Sequence, residues 1–345
     1  MRSQTLLLVA AASATVALRP ENITICDYYT PIVTGKDNSA ESQYDLMQLI
    51  THTFILGNYT TPNVGVKVQG IAAVFPYKGH DVNLLPYFIG GYKSTNTGGP
   101  EPEAVNFLDD GGATALLANK PANGTKSNQY KLLNHVYQYF GEFYGCSFQG
   151  SEAFPKYQGV ASMYEVHKFM DPDIFESEYF NEQIVLAAQS VGFEDPDVTF
   201  TREGLAKTFT ARCIPPAVVI PASAGPQLQS ICVAADCPLD PQANCSAYPN
   251  DGNVSPPAIA NATLVGPAAK VNGTAAPATE SPSSTSASSA PSSSVSAESS
   301  STASSSPPAA SSTGAASHSY GGWSTLKTLG YVASVLGAGM AILPF

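Results

Sequence analysis

The chain has 345 residues, 27 Asp and Glu against 16 Lys and Arg, and a formal net charge of −11. Setting Arg2 aside, 24 acidic residues face 13 basic ones up to Tyr248, a balance that disfavours contact with nucleic acid or an anionic membrane surface. No single fold can account for the whole chain. From Pro249 to Ser319 there is no aromatic residue and Ser, Ala, Pro and Thr dominate, so too little apolar surface is available to offset the entropy of ordering.

Residues 1–17 have the form of a secretory signal: Arg2 as basic start, Leu6 to Ala12 as a short apolar core, and Thr15-Val16-Ala17 for cleavage. A helical domain is expected over 18–213. Glu41 to Leu56 reads as one helix with Leu46, Met47, Ile50 and Phe54 on its core stripe, and 57–126, rich in Gly and Pro, as loop with one or two short helices. From Ser127 onward the apolar period is helical. Leu132, Leu133, Val136, Tyr137, Phe140, Phe143 and Tyr144 follow i, i+3/i+4 spacing up to Gly145. Ser162-Met163-Tyr164-Glu165 predicts a capping box opening a short helix with Met163, Val166, His167 and Met170 on its inner face. Asp171-Pro172 predicts the next start, for a helix reaching Gly192, and Asp195-Pro196 repeats the device for a last helix to Arg212. Nothing between Ser127 and Cys213 alternates like a strand, and the expected class is all-α.

Residues 214–248 form a Cys-rich extension. The six cysteines (26, 146, 213, 232, 237, 245) predict three disulfides of unassigned pairing, and the spacing of Cys232 and Cys237 is wrong for a zinc knuckle. Residues 249–314 read as a disordered Ser/Thr/Pro/Ala stalk. In 315–345, small residues at 311–316, a polar spacer and an apolar tail from Leu326 to Phe345 match the signal for a glycolipid (GPI) anchor, which would make the membrane a partner through the anchor alone. Seven N-glycosylation sequons, at Asn22, Asn58, Asn123, Asn244, Asn253, Asn261 and Asn272, point to the same secreted, cell-surface location.

His167 is the sharpest chemical feature. It lies between Met163 and Met170 on the buried stripe of a two-turn helix, beside helices rich in Tyr139, Phe140, Phe143, Tyr144, Phe175 and Phe180. Such a histidine is a core residue with a satisfied ring or, where the lining suits a flat apolar cofactor, an axial ligand to haem iron.

Around it, Tyr139-Phe140-Gly141-Glu142-Phe143-Tyr144-Gly145 precedes a Tyr157-Gln158-Gly159 loop. Met163 then stands four before His167, and Ala187-Ala188-Gln189-Ser190-Val191-Gly192 ends a long helix. In that order and spacing, Leu132 to Arg212 resembles the second half of a truncated haemoglobin, the short globin with a two-over-two helix sandwich. The resemblance implies haem as cofactor and His167 as the proximal metal ligand, with Met163 and Val166 below the ring. It places Leu132, Val136, Tyr139 and Phe140 over the distal face, Phe88 as the wedge against the haem, and His52 where the family usually has a distal tyrosine. It also implies a small diatomic ligand, or haem itself, as the bound partner.

The chain departs from the family at several points. Leu132 and Val136 are apolar where the family often has a polar distal residue. The segment from Gly57 to Leu84 is an insertion, and the cysteine cluster and the two end signals are foreign to the family. His52 either replaces the missing polar group or binds iron as a sixth ligand, although it points away from the stripe centred on Ile50. His135 lies on a polar face, exposed to solvent or near a haem propionate, and His80 suggests nothing.

The resulting expectation is haem and ligand binding at the cell surface rather than turnover. If the protein is an enzyme, its chemistry would be haem-dependent, on oxygen, nitric oxide or peroxide. The alternative is a haem-free anchored wall or adhesion protein on a globin-like fold. A hydrolase is disfavoured: Gly-x-Ser-x-Gly and His-Glu-x-x-His are absent, the pair Asp109-Asp110 falls in an unplaced loop, and Asp171/Asp173 reads as a helix cap.

Overall fold

Side-chain caps set where most of the helices begin in this computed structural model, which describes residues 18–266. Helix α1 (Ile25–Thr34) starts where the Thr24 hydroxyl accepts from the Asp27 N–H, and α2 (Ala40–Leu56) at a reciprocal Ser39/Ser42 box. Hydroxyls of Ser127 and Ser162 open α5 (Asn128–Tyr144) and α6 (Met163–His167), and Asp173 and Glu176 form the box that opens α7 (Ile174–Ser190). Helix α8 (Asp195–Phe209) has no side-chain cap and relies on a proline in its first turn and on Asp195 and Asp197 at its positive end. Between α2 and α5 lie β1 (Phe75–Tyr77), β2 (His80–Val82), α3 (Leu85–Phe88), β3 (Tyr92–Lys93) and α4 (Gly112–Leu117). The described chain is mostly helical, as its periodicity predicts.

Helix α2 is the hub, packing against α1, α5 and α7, while α7 packs on α8. Its stripe of Leu46, Met47, Ile50 and Phe54 is fully buried. The carbonyls at its C-terminus, which have no partner within the helix, are taken by a returning segment: Phe54 and Ile55 carbonyls accept from the N–H groups of Ile71 and Ala72. Gly70 makes the approach possible. Its φ is +82°, and a Cβ there would lie 2.4 Å from the Gly57 nitrogen. From the other side, Gln183 Oε1 accepts from the Gln69 and Gly70 N–H groups, and the Tyr179 hydroxyl donates to the Gly70 carbonyl.

Three expectations are corrected. Helix α7 begins at Ile174, not at Asp171-Pro172, because Asp171 has φ +50° and the Asp173/Glu176 box supplies the start. At α6 only half of the predicted box forms: Ser162 caps the Glu165 N–H, while the Glu165 carboxylate turns to Lys168 Nζ at 2.8 Å. The ordered domain also runs past Tyr248. β4 (Ala258–Ile259) pairs antiparallel with β3, and α9 (Ala262–Val265) buries Val265 against Gly91, so 249–266 do not belong to a disordered stalk. The segment 57–126 is looped with two short helices as expected, but it also holds the β1–β2 hairpin. That hairpin turns at Lys78-Gly79, both with positive φ. The signal at 1–17, the stalk beyond 266 and the anchor at 315–345 lie outside the described residues.

The six cysteines form Cys26–Cys146, Cys213–Cys245 and Cys232–Cys237, which fits an oxidising, extracellular setting and leaves no zinc site at Cys232 and Cys237. The last two disulfides sit in the extension after α8, where a small second core of Tyr164, Cys213, Val233 and Tyr248 forms. All six sequon asparagines in the described residues are exposed. No helix among those residues is long and apolar enough to cross a membrane.

The Cys26–Cys146 bond closes a loop of sequence separation 120, joining α1 to the end of α5. By chain entropy such a loop is worth up to about 5 kcal/mol. Replacing both cysteines by serine is expected to lower the unfolding free energy by about 3–5 kcal/mol, measured by urea denaturation. An unchanged midpoint would mean that α1 is held by packing alone.

Candidate functional site

A cavity of about 560 Å3 opens inside the domain, bounded by the end of α2, α3, the cavity-side face of α5, α6 and α7. That volume is in the ordinary range for a cofactor or drug-sized ligand. Phe54, Phe88, Leu132, Leu133, Val136, Tyr139, Phe140, Met163, Val166, Met170, Phe180, Phe209 and Ile231 make most of its wall. Lys131 and His135 stand one turn apart on α5, the first exposed and the second half-buried, and mark its mouth. On its α7 side, Glu176, Ser177 and Asn181 are buried.

His167 lines this cavity. Its Nδ1 lies 2.7 Å from the Met163 carbonyl, one turn back on α6. A carbonyl only accepts, so Nδ1 carries the proton, and in the neutral ring Nε2 carries the lone pair. Nε2 has no hydrogen-bond partner among the described residues. Burial lowers the pKa below the ordinary histidine value, against the opposing pull of the Met163 carbonyl, so the ring is neutral at pH 7. This is the state required of a metal-binding imidazole, and the backbone bond fixes both tautomer and ring plane.

Helix α6 has only five residues and is held from outside. The Ser162 hydroxyl donates to the Leu228 carbonyl at 2.7 Å, Gln229 bonds both the Met163 N–H and the Ala161 carbonyl, and Asn96 Nδ2 donates to the Glu165 carbonyl. On the far side, Tyr164 packs edge-on against Tyr248 at 4.9 Å. The disulfide-stapled extension is thus the outer support of the histidine helix.

Eight of the nine sequence-predicted site residues line the one cavity: His167, Met163, Val166, Phe88, Leu132, Val136, Tyr139 and Phe140. His52 does not. It is fully buried on α2, where Nδ1 donates to the Leu116 carbonyl at 3.0 Å and Nε2 accepts from the Tyr137 hydroxyl at 2.6 Å. With both nitrogens engaged it ties α2 to α4 and α5, and neither the distal role nor that of a sixth ligand is open to it. Of the aromatic residues expected beside the histidine, Tyr139, Phe140 and Phe180 line the cavity. Phe143 instead packs on Phe200, Tyr144 on Phe193, and Phe175 stacks on His80 at 3.6 Å.

The acidic pairs have structural duties. Asp109 caps α5, accepting from the Asn128 and Gln129 N–H groups, Asp110 accepts from the Gly124 N–H, and Asp173 caps α7. Among the described residues no cluster of three or more His, Cys, Asp or Glu is placed to hold a metal ion; a single axial histidine needs none.

Among the wall residues that escaped the sequence reading, two are polar and unsatisfied. Ser177 and Asn181 lie on the cavity face of α7, each more than nine-tenths buried, and Ser177 Oγ and both Asn181 amide atoms have no hydrogen-bond partner. The signal available was a polar pair at i, i+4 flanking the inward Phe180, inside an otherwise apolar stripe. No protein-family model, curated protein or solved structure matches the chain.

His52 makes its own prediction. Burial lowers its pKa to about 4 although the Leu116 carbonyl opposes the shift. Between about pH 6.5 and 4 the unfolded chain therefore binds a proton that the folded one refuses, and stability falls as pH falls. Wild type is expected to lose up to about 1.4 kcal/mol per pH unit in that window from this group. The His52→Gln variant should show a flatter acid limb in denaturant titrations, with binding in the cavity unaffected. An equally steep limb in the variant would remove His52 as the cause.

Proposed function

We propose that this chain is a cell-surface haem-binding protein of globin-like, two-over-two architecture, with His167 as the axial ligand and a small diatomic molecule, or haem itself, as its cargo. The observation that carries the proposal is the Nδ1 bond from His167 to the Met163 carbonyl at the wall of a large apolar cavity, which leaves the Nε2 lone pair without a protein partner. Two further features support the reading: the packing of α2 with α5 and of α7 with α8, and the gathering of eight resemblance-derived residues around one cavity.

The residues fit such a group. The aromatic and aliphatic wall suits the face of a tetrapyrrole, and Phe88 and Val166 are placed to pack on it. Lys131 and His135 at the mouth suit its carboxylates. When bound, haem would supply iron able to hold a diatomic ligand. The chain's own part is to present neutral Nε2 in a fixed orientation, to keep water from the cavity, and to hold the histidine helix rigid through Ser162 and Gln229. The cell-surface location rests on the signal, the anchor pattern, the exposed sequons and the disulfides. A haem-free adhesion protein shares all four of those features but has no use for a partnerless neutral imidazole in an apolar cavity.

The test is the visible spectrum of the secreted protein, residues 18–266, supplied with haemin, beside His167→Ala. Wild type should show a Soret band, and the variant should lose it or bind haemin at least about tenfold more weakly, as removal of an axial ligand requires. Because burial lowers the His167 pKa, Nε2 is protonated only at a lower pH than in an ordinary histidine. The band should therefore persist below pH 6.5. A folded, colourless wild type would overturn the proposal.

A further inference from the structure

We infer that Ser177 and Asn181 form a small-ligand subsite on the α7 wall of the cavity, with the Asn181 amide as principal donor to an acceptor atom of the ligand. The inference rests on the haem reading and deepens it. At the positions where the family often has a polar distal residue, α5 carries the apolar Leu132 and Val136, and His52 is closed off in the core. The structure places hydrogen-bonding groups on a different helix, α7.

The physical argument begins with cost. A buried polar atom without a partner destabilises a fold, and nearly all buried polar groups are satisfied. Here three such atoms stand together: Ser177 Oγ, Asn181 Oδ1 and Asn181 Nδ2. Ser177 is 6% exposed and Asn181 8%, so solvent at the molecular surface does not serve them. They are one turn apart on α7 and both line the cavity. Their neighbours on the same helix show that polar side chains there can be fully used, since Gln183 and Tyr179 are both bonded to the Gln69–Gly70 backbone.

Chemistry then selects the ligand class. Two N–H donors on Asn181 and one O–H on Ser177, one turn apart on the same cavity wall, suit a small acceptor-bearing molecule such as a diatomic gas or a linear pseudohalide. A bulkier ligand would compete for the space that the tetrapyrrole takes. Ser177 and Asn181 are buried on α7, whereas Lys131 on α5 is exposed, so the wall offers two kinds of polar group: a cation at the surface for carboxylates and buried donors for a small neutral or singly charged acceptor.

The experiment uses the haem-loaded protein with azide as probe, comparing wild type with Asn181→Leu and Ser177→Ala, and adds the melting temperature of each without haem. Asn181→Leu should keep a Soret band and weaken azide binding about tenfold, more than it changes haem affinity; Ser177→Ala should weaken azide binding less. Without haem, Asn181→Leu should melt about 2–4 °C higher, because it removes unpaired polar atoms in exchange for an apolar side chain of similar volume.

A lowered melting temperature would reveal a hydrogen bond to Asn181 within the fold and overturn the inference. Unchanged azide affinity in a variant that retains its Soret band would also overturn it. So would weakened haem affinity with unchanged azide affinity, which would assign the pair to the haem's own substituents. Absence of a Soret band in wild type is the separate failure, that of the haem reading itself, and it removes this inference with it. Ser177→Ala, a smaller change, decides the matter if Asn181→Leu does not fold.

Discussion

A helix of five residues cannot hold a histidine in place by its own hydrogen bonds, and the geometry around the cavity depends on how α6 is braced. One turn of helix is below the length at which backbone bonding repays its nucleation cost. The position of His167 is therefore set by what lies outside α6: the Ser162 hydroxyl and Gln229 amide on 228–229, Asn96 on the Glu165 carbonyl, and Tyr164 against Tyr248. Those contacts depend in turn on a segment with almost no regular structure, which two disulfides hold in shape. The cysteine-rich extension is thus part of the cavity's construction, although it contributes only Ile231 to the wall.

The same economy governs the polar groups around the cavity. On α7, Gln183 and Tyr179 are satisfied by the backbone of the returning loop, whereas Ser177 Oγ and the Asn181 amide on the cavity wall are left without partners. Proteins tolerate such atoms where binding later satisfies them, and the apo fold is then less stable than its packing alone would allow. A cavity whose wall were apolar throughout would be a more stable container and a less selective one.

The sequence made the helices legible because their caps and apolar period are local signals. Ser127, Ser162 and Asp195-Pro196 mark starts that the structure keeps, and the stripe of Met163, Val166, His167 and Met170 does face one cavity. What stayed hidden depends on distant partners. His52 looked off-stripe because it faces Leu116 and Tyr137, 64 and 85 residues away in sequence, which no helical period encodes. The β1–β2 hairpin hides in strands of three residues, too short to show alternation, and residues 258–265 fold because β3 offers an edge to pair with. Composition averaged over 249–314 conceals Val265, the side chain that the pairing of β4 with β3 brings into the core.

Three histidines in and around the core show how little separates structure from chemistry in such a fold. Burial lowers the pKa of each, so each is neutral at pH 7. At His52 both nitrogens are engaged, and the ring is a strut. At His135 neither nitrogen has a hydrogen-bond partner among the described residues, and the half-buried ring stands edge-on to Tyr157 at 6.2 Å, one turn from Lys131. At His167 one nitrogen is spent on the Met163 carbonyl and the other is withheld, so orientation and reactivity are set by a single hydrogen bond. Burial alone does not assign a role to any of them. The count of engaged nitrogens does, and it is fixed by which backbone carbonyl the fold brings within reach of each ring.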